Sequence, residues 1–525
     1  MKKESVIRLA TAALIMLLLT ACGGTGRSGS AGRSYVPVDM SFSAASYQPD
    51  YSWFRKNNLP VPDAFRGAPV DYLVPEKEVA AGSGYEFFAT YDEDRALRFY
   101  KDLNVRGVGD NTAYWRWKVG FTEAEFEAAV TNGLLNLLRT RPRDVYLLSG
   151  GDWVNRSFGR GDIGDVRSVE VAARGKSGVI IYLVIKTSEN TFLLAKEISV
   201  RRLFAPNKSN TGSTRDINLY GARGGDGIYG DTPYRVNMAL LPSAYCAIEK
   251  TAGGYAIYGG GNGHGVGMSQ YAAFDLTENH NYSYRDVLKR YYPGTQLSNM
   301  YKIAGVSKNI RVGVSNAGGG LAHSSVNLTS SGAMSIKGQG FSINVKGGGR
   351  IQAKTEGGKL SIAVDGQHRV KTAHPVIVTA KGTYLTLTGI RKAHTANPGY
   401  RGVMELRAVG NAVRVINDVH IEDYLKQVLP SEMPKNFGVE ALKAQAVAAR
   451  TYALSDFLKF RYKSEGFHVK DTVESQVYNN QLENEESYRA IEATAGEVLI
   501  WNEKPADAKY FSASSGFIEA ANYVW

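Results

Sequence analysis

The chain has 525 residues, of which 43% are hydrophobic and 21% are charged. This length predicts three or four folded units, and this balance excludes a chain that is disordered throughout. The net charge of +12 suits contact with anionic polymers or membranes, or solubility alone, and no lysine or arginine block indicates a nucleic-acid partner. The two cysteines, Cys22 and Cys246, exclude a disulfide framework and a four-thiolate zinc site.

The first element along the chain is a targeting segment. Basic residues precede the apolar run Leu9–Leu19, which is shorter than the ~20 residues that span a bilayer and is typical of a secretory signal. The run ends in Leu-Thr-Ala-Cys at Cys22, which resembles a bacterial lipoprotein box. The resemblance implies a signal peptide over residues 1–21 and lipidation of Cys22, followed by a flexible tether over 22–34. The alternative is an ordinary signal peptide with an incidental cysteine.

A lipid on Cys22 would hold the protein at a membrane surface. We therefore expect an extracytoplasmic protein, lipid-anchored to a bacterial membrane. Such a protein has no ATP supply, which disfavours kinases and nucleotide-driven machines.

The next predicted elements are a helix over 121–139 and strands over 166–200. Thr122 and Glu125 form a capping box, and Phe121 with Phe126 fits a hydrophobic staple. The strands are predicted from alternating apolar and polar residues.

The remaining elements make the chain β-rich with one strong helix. Short strands separated by glycine-rich turns cover 309–420. A helix follows over 440–460, where strong helix formers dominate. Its residues Leu442, Ala446, Ala449 and Ala453 share one face, which would let a partner backbone approach closely. The predicted fold class is therefore α+β and β-rich.

The segment Glu422–Pro434 contains a candidate general acid. Glu432 lies between two prolines, which restrict its backbone, and Leu429 and Met433 are apolar neighbours. A carboxyl group in apolar surroundings has a raised pKa, which suits protonation of a glycosidic oxygen. The alternative is a surface glutamate that caps a turn.

A second informative segment is Gly261–Gln270, hereafter the glycine run, which contains Gly-His-Gly-Val-Gly-Met-Ser-Gln. It lacks the Lys-Ser/Thr pair of a phosphate-binding loop, so that interpretation is disfavoured. The remaining alternative to a functional role is a tight loop held by a structural histidine.

Glu422–Pro434, with Glu440–Tyr452 after it, resembles the signature of the stage II sporulation protein D family. That family includes sporulation lytic transglycosylases and amidase-enhancer proteins of cell-wall autolysis. The glycine run belongs to the same family pattern. Three further segments follow in family order, namely Asp471–Tyr478, Ala493–Leu499 and Lys509–Gly516.

The resemblance implies cleavage of peptidoglycan glycan strands without water. One glutamate, matched here by Glu432, would protonate the glycosidic oxygen and then accept the proton of the muramic acid 6-hydroxyl. A 1,6-anhydro ring results, and one acid/base suffices because the nucleophile is part of the substrate. No cofactor is expected.

The resemblance also implies residues that shape the groove, contact glycan or hold the loop of Glu432. Their polar groups can hydrogen-bond sugar hydroxyls or N-acetyl groups. For Arg450 a structural ion pair is an equal alternative. The predicted substrate-binding residues are Lys443, Gln445, Arg450, Tyr452, Gln476, Tyr478, Ser512, Ser515, His264, Ser269 and Gln270.

The sequence departs from the family in its metal ligands. Some members bind zinc through His and Cys near the element that matches Asp471–Tyr478. Here His468 is present without a nearby cysteine, and tetrahedral zinc would need other ligands. We therefore expect no metal.

The order of the segments also departs from the family, because the glycine run precedes Glu432. Residues 35–303 resemble the C-terminal half of the family domain. Residues 304–525 combine a β-rich segment with a region that resembles the N-terminal half. The favoured explanation is a circular permutant whose halves form one groove, which chain ends close in space would permit; the alternative is a truncated tandem.

The preferred function is a peptidoglycan lytic transglycosylase that acts on glycan strands. The first alternative is a non-catalytic wall-binding protein that enhances an N-acetylmuramoyl-L-alanine amidase. The second is a structural lipoprotein that tethers membrane to wall. The basic charge fits all three.

Overall fold

A computed structural model describes residues 50–61, 70–393 and 395–525. The predicted signal peptide, Cys22 and the tether lie outside these residues. The chain divides into two units. The Glu432 unit is Thr295–Ala508, and the glycine-run unit is the described part of Ser30–Gly294 together with Lys509–Trp525.

The described residues form both helices and strands, and the strands predominate, which confirms the α+β, β-rich class. The strands are β1 Glu76–Lys77, β2 Arg116–Phe121, β3 Val145–Ser149, β4 Asp152–Val154, β5 Val166–Arg174, β6 Ile180–Thr187, β7 Thr191–Ala195, β8 Asn218–Ala222, β9 Arg235–Val236, β10 Cys246–Thr251, β11 Gly254–Gly259, β12 Met268–Ser269, β13 Gln296–Asn299, β14 Asn309–Val314, β15 Ser325–Thr329, β16 Met334–Gly338, β17 Phe341–Val345, β18 Arg350–Glu356, β19 Lys359–Val364, β20 Gln367–Thr372, β21 Val376–Ala380, β22 Leu385–Thr388, β23 Gly399–Tyr400, β24 Val403–Val409, β25 Ala412–His420, β26 Val469–Lys470, β27 Glu497–Trp501, β28 Lys504–Pro505, β29 Tyr510–Phe511 and β30 Phe517–Ile518. The helices are α1 Ser52–Lys56, α2 Glu93–Lys101, α3 Glu123–Thr140, α4 Arg160–Ile163, α5 Glu197–Leu203, α6 Lys208–Thr211, α7 Gln270–Asn279, α8 Tyr284–Tyr291, α9 Ile421–Glu432, α10 Val439–Lys459, α11 Glu485–Ala493 and α12 Ala521–Val524.

The glycine-run unit contains two antiparallel five-stranded sheets, ordered β10-β11-β2-β8-β9 and β4-β3-β7-β6-β5. Helix α3 packs on β11 and α5. As predicted, Thr122 caps α3 in a capping box with Glu125, and the rings of Phe121 and Phe126 lie 6.3 Å apart. The predicted strands over 166–200 are confirmed as β5, β6 and β7.

The last residues of the chain complete this unit. β29 pairs in parallel with β12, and β30 pairs antiparallel with β1. Asn262 of the glycine run and Ala513 exchange backbone hydrogen bonds of 2.7 and 3.0 Å. Lys509–Gly516 therefore lies directly beside the glycine run.

The Glu432 unit contains two facing sheets. One is the seven-stranded sheet β17-β16-β21-β24-β25-β14-β26, and the other is the six-stranded sheet β20-β19-β18-β15-β22-β23. In β18, buried and exposed residues alternate, and β15, β18 and β19 pack against β24 and β25, as in a β-sandwich. The predicted strand series over 309–420 is confirmed.

Helices α9, α10 and α11 and the three-stranded sheet β13-β27-β28 complete the Glu432 unit. Helix α10 confirms the helix predicted over 440–460. Its burial, however, is not confined to the predicted alanine face, because every residue from Ala444 to Asp456 is buried. The reason is that α9, α11 and β27 contact α10 on different sides. Within the described ranges, no helix is both long and apolar enough to cross a membrane.

Candidate functional site

Helix α9 carries Glu432 at its last position. The Glu432 side chain is half-buried, while Leu429 and Met433 beside it are buried. Pro430 lies in the last turn and has no N–H to donate. The Ser431 hydroxyl donates to the Gln427 carbonyl at 2.6 Å in the same turn.

The segment 476–480 lies against α9 and holds the Glu432 carboxyl group. The Val477 N–H donates to Glu432 Oε1 at 2.7 Å. The Ser431 hydroxyl oxygen lies 2.9 Å from Asn479 Oδ1, and Asn480 Nδ2 donates to Gln427 Oε1 at 3.0 Å. These contacts fix the position of the segment relative to α9 and the orientation of the Glu432 carboxyl group.

Gln476 and Tyr478, two of the predicted substrate-binding residues, belong to this segment, and both are buried. Gln476 Nε2 donates to the Ala449 carbonyl at 3.1 Å and Gln476 Oε1 accepts from the Tyr424 hydroxyl at 3.1 Å. The Tyr478 hydroxyl donates to Asn417 Oδ1 at 2.8 Å. Burial raises the pKa of Tyr424 well above its usual value, and the nearby charge of Glu432 adds to this effect.

A buried ion pair anchors Asp471, the first residue of the loop that leads into the 476–480 segment. Lys392 Nζ donates to Asp471 Oδ2 at 2.8 Å and to the Ser315 hydroxyl at 2.6 Å. The side chains of Lys392 and Asp471 are 3% and 0% exposed. The Tyr478 N–H donates to the Asp471 carbonyl at 3.3 Å, so the ends of the Asp471–Tyr478 loop meet.

Arg450 makes a buried ion pair, which is the structural alternative named above. Its Nε and NH2 donate to the two carboxylate oxygens of Glu422 at 2.9 and 2.7 Å, and its NH1 donates to the Glu497 carbonyl at 2.9 Å. The Arg450 side chain is 0% exposed. It holds α10 to α9 and to the start of β27, and no surface is left for contact with glycan.

The other predicted residues of α10 differ in exposure. Lys443 is partly exposed and pairs with Glu440 at 2.6 Å, whereas Gln445 and Tyr452 are buried. Burial raises the pKa of Tyr452. Because Gln445 and Tyr452 are buried, they suit the role of holding the loop of Glu432. Contact of Lys443 with glycan stays a prediction.

The glycine run is shaped by backbone positions that only glycine tolerates. Gly265 has φ +72°, and a Cβ there would lie 1.9 Å from the Tyr245 hydroxyl oxygen. Gly267 has φ +73°, and a Cβ there would lie 2.1 Å from the Lys509 carbonyl oxygen. His264 Nδ1 accepts from the Val266 N–H at 3.2 Å, and the Tyr245 hydroxyl donates to the His264 carbonyl at 3.0 Å.

The other predicted residues near the glycine run are mostly buried. Ser269 is the N-cap of α7, where its hydroxyl accepts from the Ala272 N–H at 3.4 Å, and Gln270 is buried in the first turn. Ser512 is half-buried, and the buried Ser515 accepts from Arg116 NH1 through its carbonyl at 2.9 Å. Ser269, Gln270, Ser512 and Ser515 thus lie with His264 in the glycine-run unit. The predicted residues of α10 and of the 476–480 segment lie with Glu432 in the Glu432 unit.

Residues 409–501 match the family model described as Stage II sporulation protein (SpoIID). Over this segment the chain is similar to the stage II sporulation protein D family. The segment includes Glu432 and its neighbours on α9, α10 and the 476–480 segment. The glycine run lies outside the stage II sporulation protein D match.

Curated relatives of the stage II sporulation protein D family extend the similarity. The chain is 43% identical over 101 residues to the Amidase enhancer of Bacillus subtilis, a match that covers 19% of the chain and 13% of that protein. It is 31% identical over 156 residues to Stage II sporulation protein D of Bacillus subtilis, covering 26% of the chain and 46% of the relative. It is 30% identical over 177 residues to Stage II sporulation protein D of Bacillus amyloliquefaciens, a match that covers 31% of the chain and 48% of that relative.

The chain therefore spans less than half the length of each of these relatives. No solved structure matches it significantly.

Two carboxylates that matter for the geometry were absent from the sequence-based site. Glu422 pairs with Arg450, and a buried arginine in an alanine-rich helix was the signal that a partner acid was needed. Glu519 is buried beside the glycine run and accepts from the Ser177 hydroxyl at 2.5 Å and the Ser177 N–H at 2.9 Å. Burial raises the pKa of Glu519 to about 7.

In the part of the chain that the structure describes, no group of three or more His, Cys, Asp or Glu side chains could hold a metal ion. His468 lies between the rings of Phe457 and Phe460, at 4.4 and 4.7 Å. Its Nδ1 accepts from the Arg311 N–H at 3.1 Å, and burial lowers its pKa to about 4. His468 is thus occupied by a contact within its own unit.

Proposed function

We propose that this chain is a peptidoglycan lytic transglycosylase in which Glu432 is the acid/base. The observation that carries the proposal is the Glu432 carboxyl group at the end of α9, half-buried and oriented by the Val477 N–H at 2.7 Å. The family match over 409–501 adds support, because it includes both residues.

The proposed reaction needs one residue and no water. Protonated Glu432 gives its proton to the glycosidic oxygen as the bond from that oxygen to the anomeric carbon breaks. The Glu432 carboxylate then takes the proton of the muramic acid 6-hydroxyl, and the 6-oxygen bonds to the anomeric carbon. The products are a 1,6-anhydro end and a free hydroxyl on the leaving sugar, and Glu432 is protonated again.

The buried residues around Glu432 would act by position. Gln476, Tyr478 and the Lys392–Asp471 pair hold the Asp471–Asn480 segment, which places the Val477 N–H. Because Val477 fixes Oε1, a loss of any of these contacts would change the orientation of the acid rather than the chemistry available to it.

The proposal places the protein outside the cytoplasm, held to a bacterial membrane by a lipid on Cys22. Glycan strands would be its substrate. His264 and Lys443, which are partly exposed, are the predicted substrate contacts that the proposal retains alongside Ser512.

A second candidate function is enhancement of a cell-wall amidase without cleavage. The 43% identity to a protein named Amidase enhancer favours it specifically. In this case the carboxylate of Glu432 would not be needed, and replacing Glu432 by Gln would leave stimulation of the amidase intact.

The test is mass spectrometry of the fragments released from glycan strands, with and without stem peptides. The full chain, Glu432→Gln and a matched control, Glu474→Gln, would be compared, because Glu474 is exposed and pairs only at the surface with Lys470. We expect fragments about 18 mass units lighter than hydrolytic products, reduced about 10²- to 10⁴-fold in Glu432→Gln and unchanged in the control.

Two outcomes would contradict the preferred function. Fragments with a free reducing end would mean hydrolysis. The enhancer function would be supported instead by two results together. Neither substrate yields fragments, and both the wild-type protein and Glu432→Gln speed the release of stem peptides by an added amidase.

A further inference from the structure

The positive charge of the chain is concentrated in one part of the β-sandwich. Residues 325–388 contain eight lysines and arginines but only two acidic residues, Glu356 and Asp365. This surplus of six charges is half of the net +12 of the chain. Such a concentration creates a local positive potential that attracts anions.

The six-stranded sheet carries several of these cations on its outward face. In β18 the outward residues are Arg350, Gln352 and Lys354, which are exposed, while Ile351 and Ala353 between them are buried. The register places Lys354 opposite Ser361 on β19, and Ser361 opposite Lys371 on β20. We call Arg350, Lys354 and Lys371 the cationic face.

Protection of a sheet edge does not account for these positions. Lysines on an edge strand prevent pairing with other chains, and this explains Lys371 on the edge strand β20. Strand β18, however, lies between β19 and β15, so Arg350 and Lys354 are two strands away from that edge. Their outward charges call for another explanation.

The chemistry of the cationic face indicates an anion rather than a neutral sugar or a bilayer. No Phe, Tyr or Trp side chain lies at the outward positions of β15, β18, β19 and β20, so the large stacking surface that sugars favour is missing there. The same positions lack the large apolar residues that would insert into a membrane. Glu356 pairs with Lys354 at 3.0 Å and lies 3.6 Å from Lys371, and such exposed pairs are weak enough to be exchanged for a ligand.

The spacing of the cations indicates an extended ligand. Adjacent strands are about 4.8 Å apart, so Lys354 and Lys371 are separated by about 10 Å at the backbone, and Arg350 and Lys354 by about 13 Å along β18. A single small anion cannot contact all three, whereas a flexible chain with a charge at each repeat can. Arg350 adds a guanidinium fork that matches a phosphate group.

We propose that the cationic face binds a phosphodiester polymer attached to the cell wall. The contacts are ionic and polar, and the polymer lies across β18, β19 and β20. Binding releases counterions for each phosphate that is neutralised, so affinity falls steeply with salt. The proposal does not need Glu432 to be catalytic.

The test is co-sedimentation of the full chain with purified sacculi of a Gram-positive bacterium. Half of the sacculi are stripped of phosphodiester polymers with hydrofluoric acid, which leaves the glycan and its stem peptides. We expect binding to untreated sacculi to be about tenfold tighter or more than binding to stripped sacculi, with a steep dependence on salt. Glu432→Gln should bind like wild type, so a failure of the proposed catalytic function would not affect this result.

Two variants of the cationic face are compared with a control of equal charge change. The triple replacement of Arg350, Lys354 and Lys371 by Glu should reduce binding to untreated sacculi about tenfold or more, and their replacement by Gln should reduce it less. The control replaces three exposed lysines of the same unit outside this face, Lys302, Lys337 and Lys463, by Glu, and should change binding less than about twofold.

Three results would overturn the proposal. Equal affinity for stripped and untreated sacculi would assign the cations to stem-peptide carboxylates or to solubility. Equal losses in the face and control variants would mean that only net charge matters. Unchanged binding of both face variants to untreated sacculi, with lost binding to phosphatidylglycerol vesicles, would identify a membrane surface instead.

Discussion

The Glu432 segment and the glycine run are held in place by different means. Around Glu432, long side chains such as Arg450, Gln476 and Lys392 bridge elements that are distant in sequence. In the glycine run, the backbone itself packs against its neighbours, and side chains are absent where a Cβ would collide. The Glu432 segment depends on buried polar partners, and the glycine run depends on glycines, whose missing side chains let neighbouring atoms approach the backbone.

This difference predicts different sensitivities to substitution. A buried network fails when one partner is removed, because the other is left uncompensated. A close-packed glycine loop fails when volume is added, because the surrounding backbone cannot give way. The predictions below separate these two mechanisms.

The largest effect is expected for Arg450→Met in the Glu432 unit. Glu422 would lose its partner in a site that is only 16% exposed, and breaking a buried pair in this way costs about 3–5 kcal/mol. Hydrogen exchange of amides in α10 would measure the loss of protection. The control is Arg489→Met, which breaks the exposed pair with Glu485 and should cost less than about 1 kcal/mol; equal effects would contradict the role assigned to burial.

A smaller effect is expected for Gly265→Ala in the glycine run. The added Cβ would meet the Tyr245 hydroxyl at 1.9 Å on a backbone with φ +72°, and we expect a cost of about 3 kcal/mol. The matched control is Gly366→Ala, with φ +80° and no atom within 4 Å, which should cost only about 1 kcal/mol for its backbone strain. Hydrogen exchange over each loop would compare them, and an equal cost at both positions would show that packing against Tyr245 is unimportant.

The last effect is the pH dependence of stability that Glu519 creates. Burial raises its pKa from 4.5 to about 7 in the folded protein, so the unfolded state loses this proton first. Glu519 therefore leaves stability unaffected below about pH 4.5, and stability falls by about 3 kcal/mol as the pH rises from there to 7. Urea unfolding of wild type and Glu519→Gln at several pH values should show this fall in wild type only; parallel curves would contradict the prediction.

Local sequence patterns predicted the elements of both units where the pattern reflects a local cause. The Thr122–Glu125 capping box started α3 because its hydrogen bonds join residues three apart. The strand series over 309–420 was predicted because glycine-rich turns separate its short strand-like runs. The environment of α10 was not predictable in the same way, because its all-round burial depends on partners that the helix sequence does not specify.

The sequence by itself determined the candidate acid Glu432 and the family resemblance of its segment. Only the tertiary structure decided what touches these residues. The Val477 N–H reaches Glu432 from 45 positions away, and Glu422 reaches Arg450 from 28 positions away. Such contacts depend on how separate elements pack, and no local periodicity or propensity encodes which distant partner a polar group will meet.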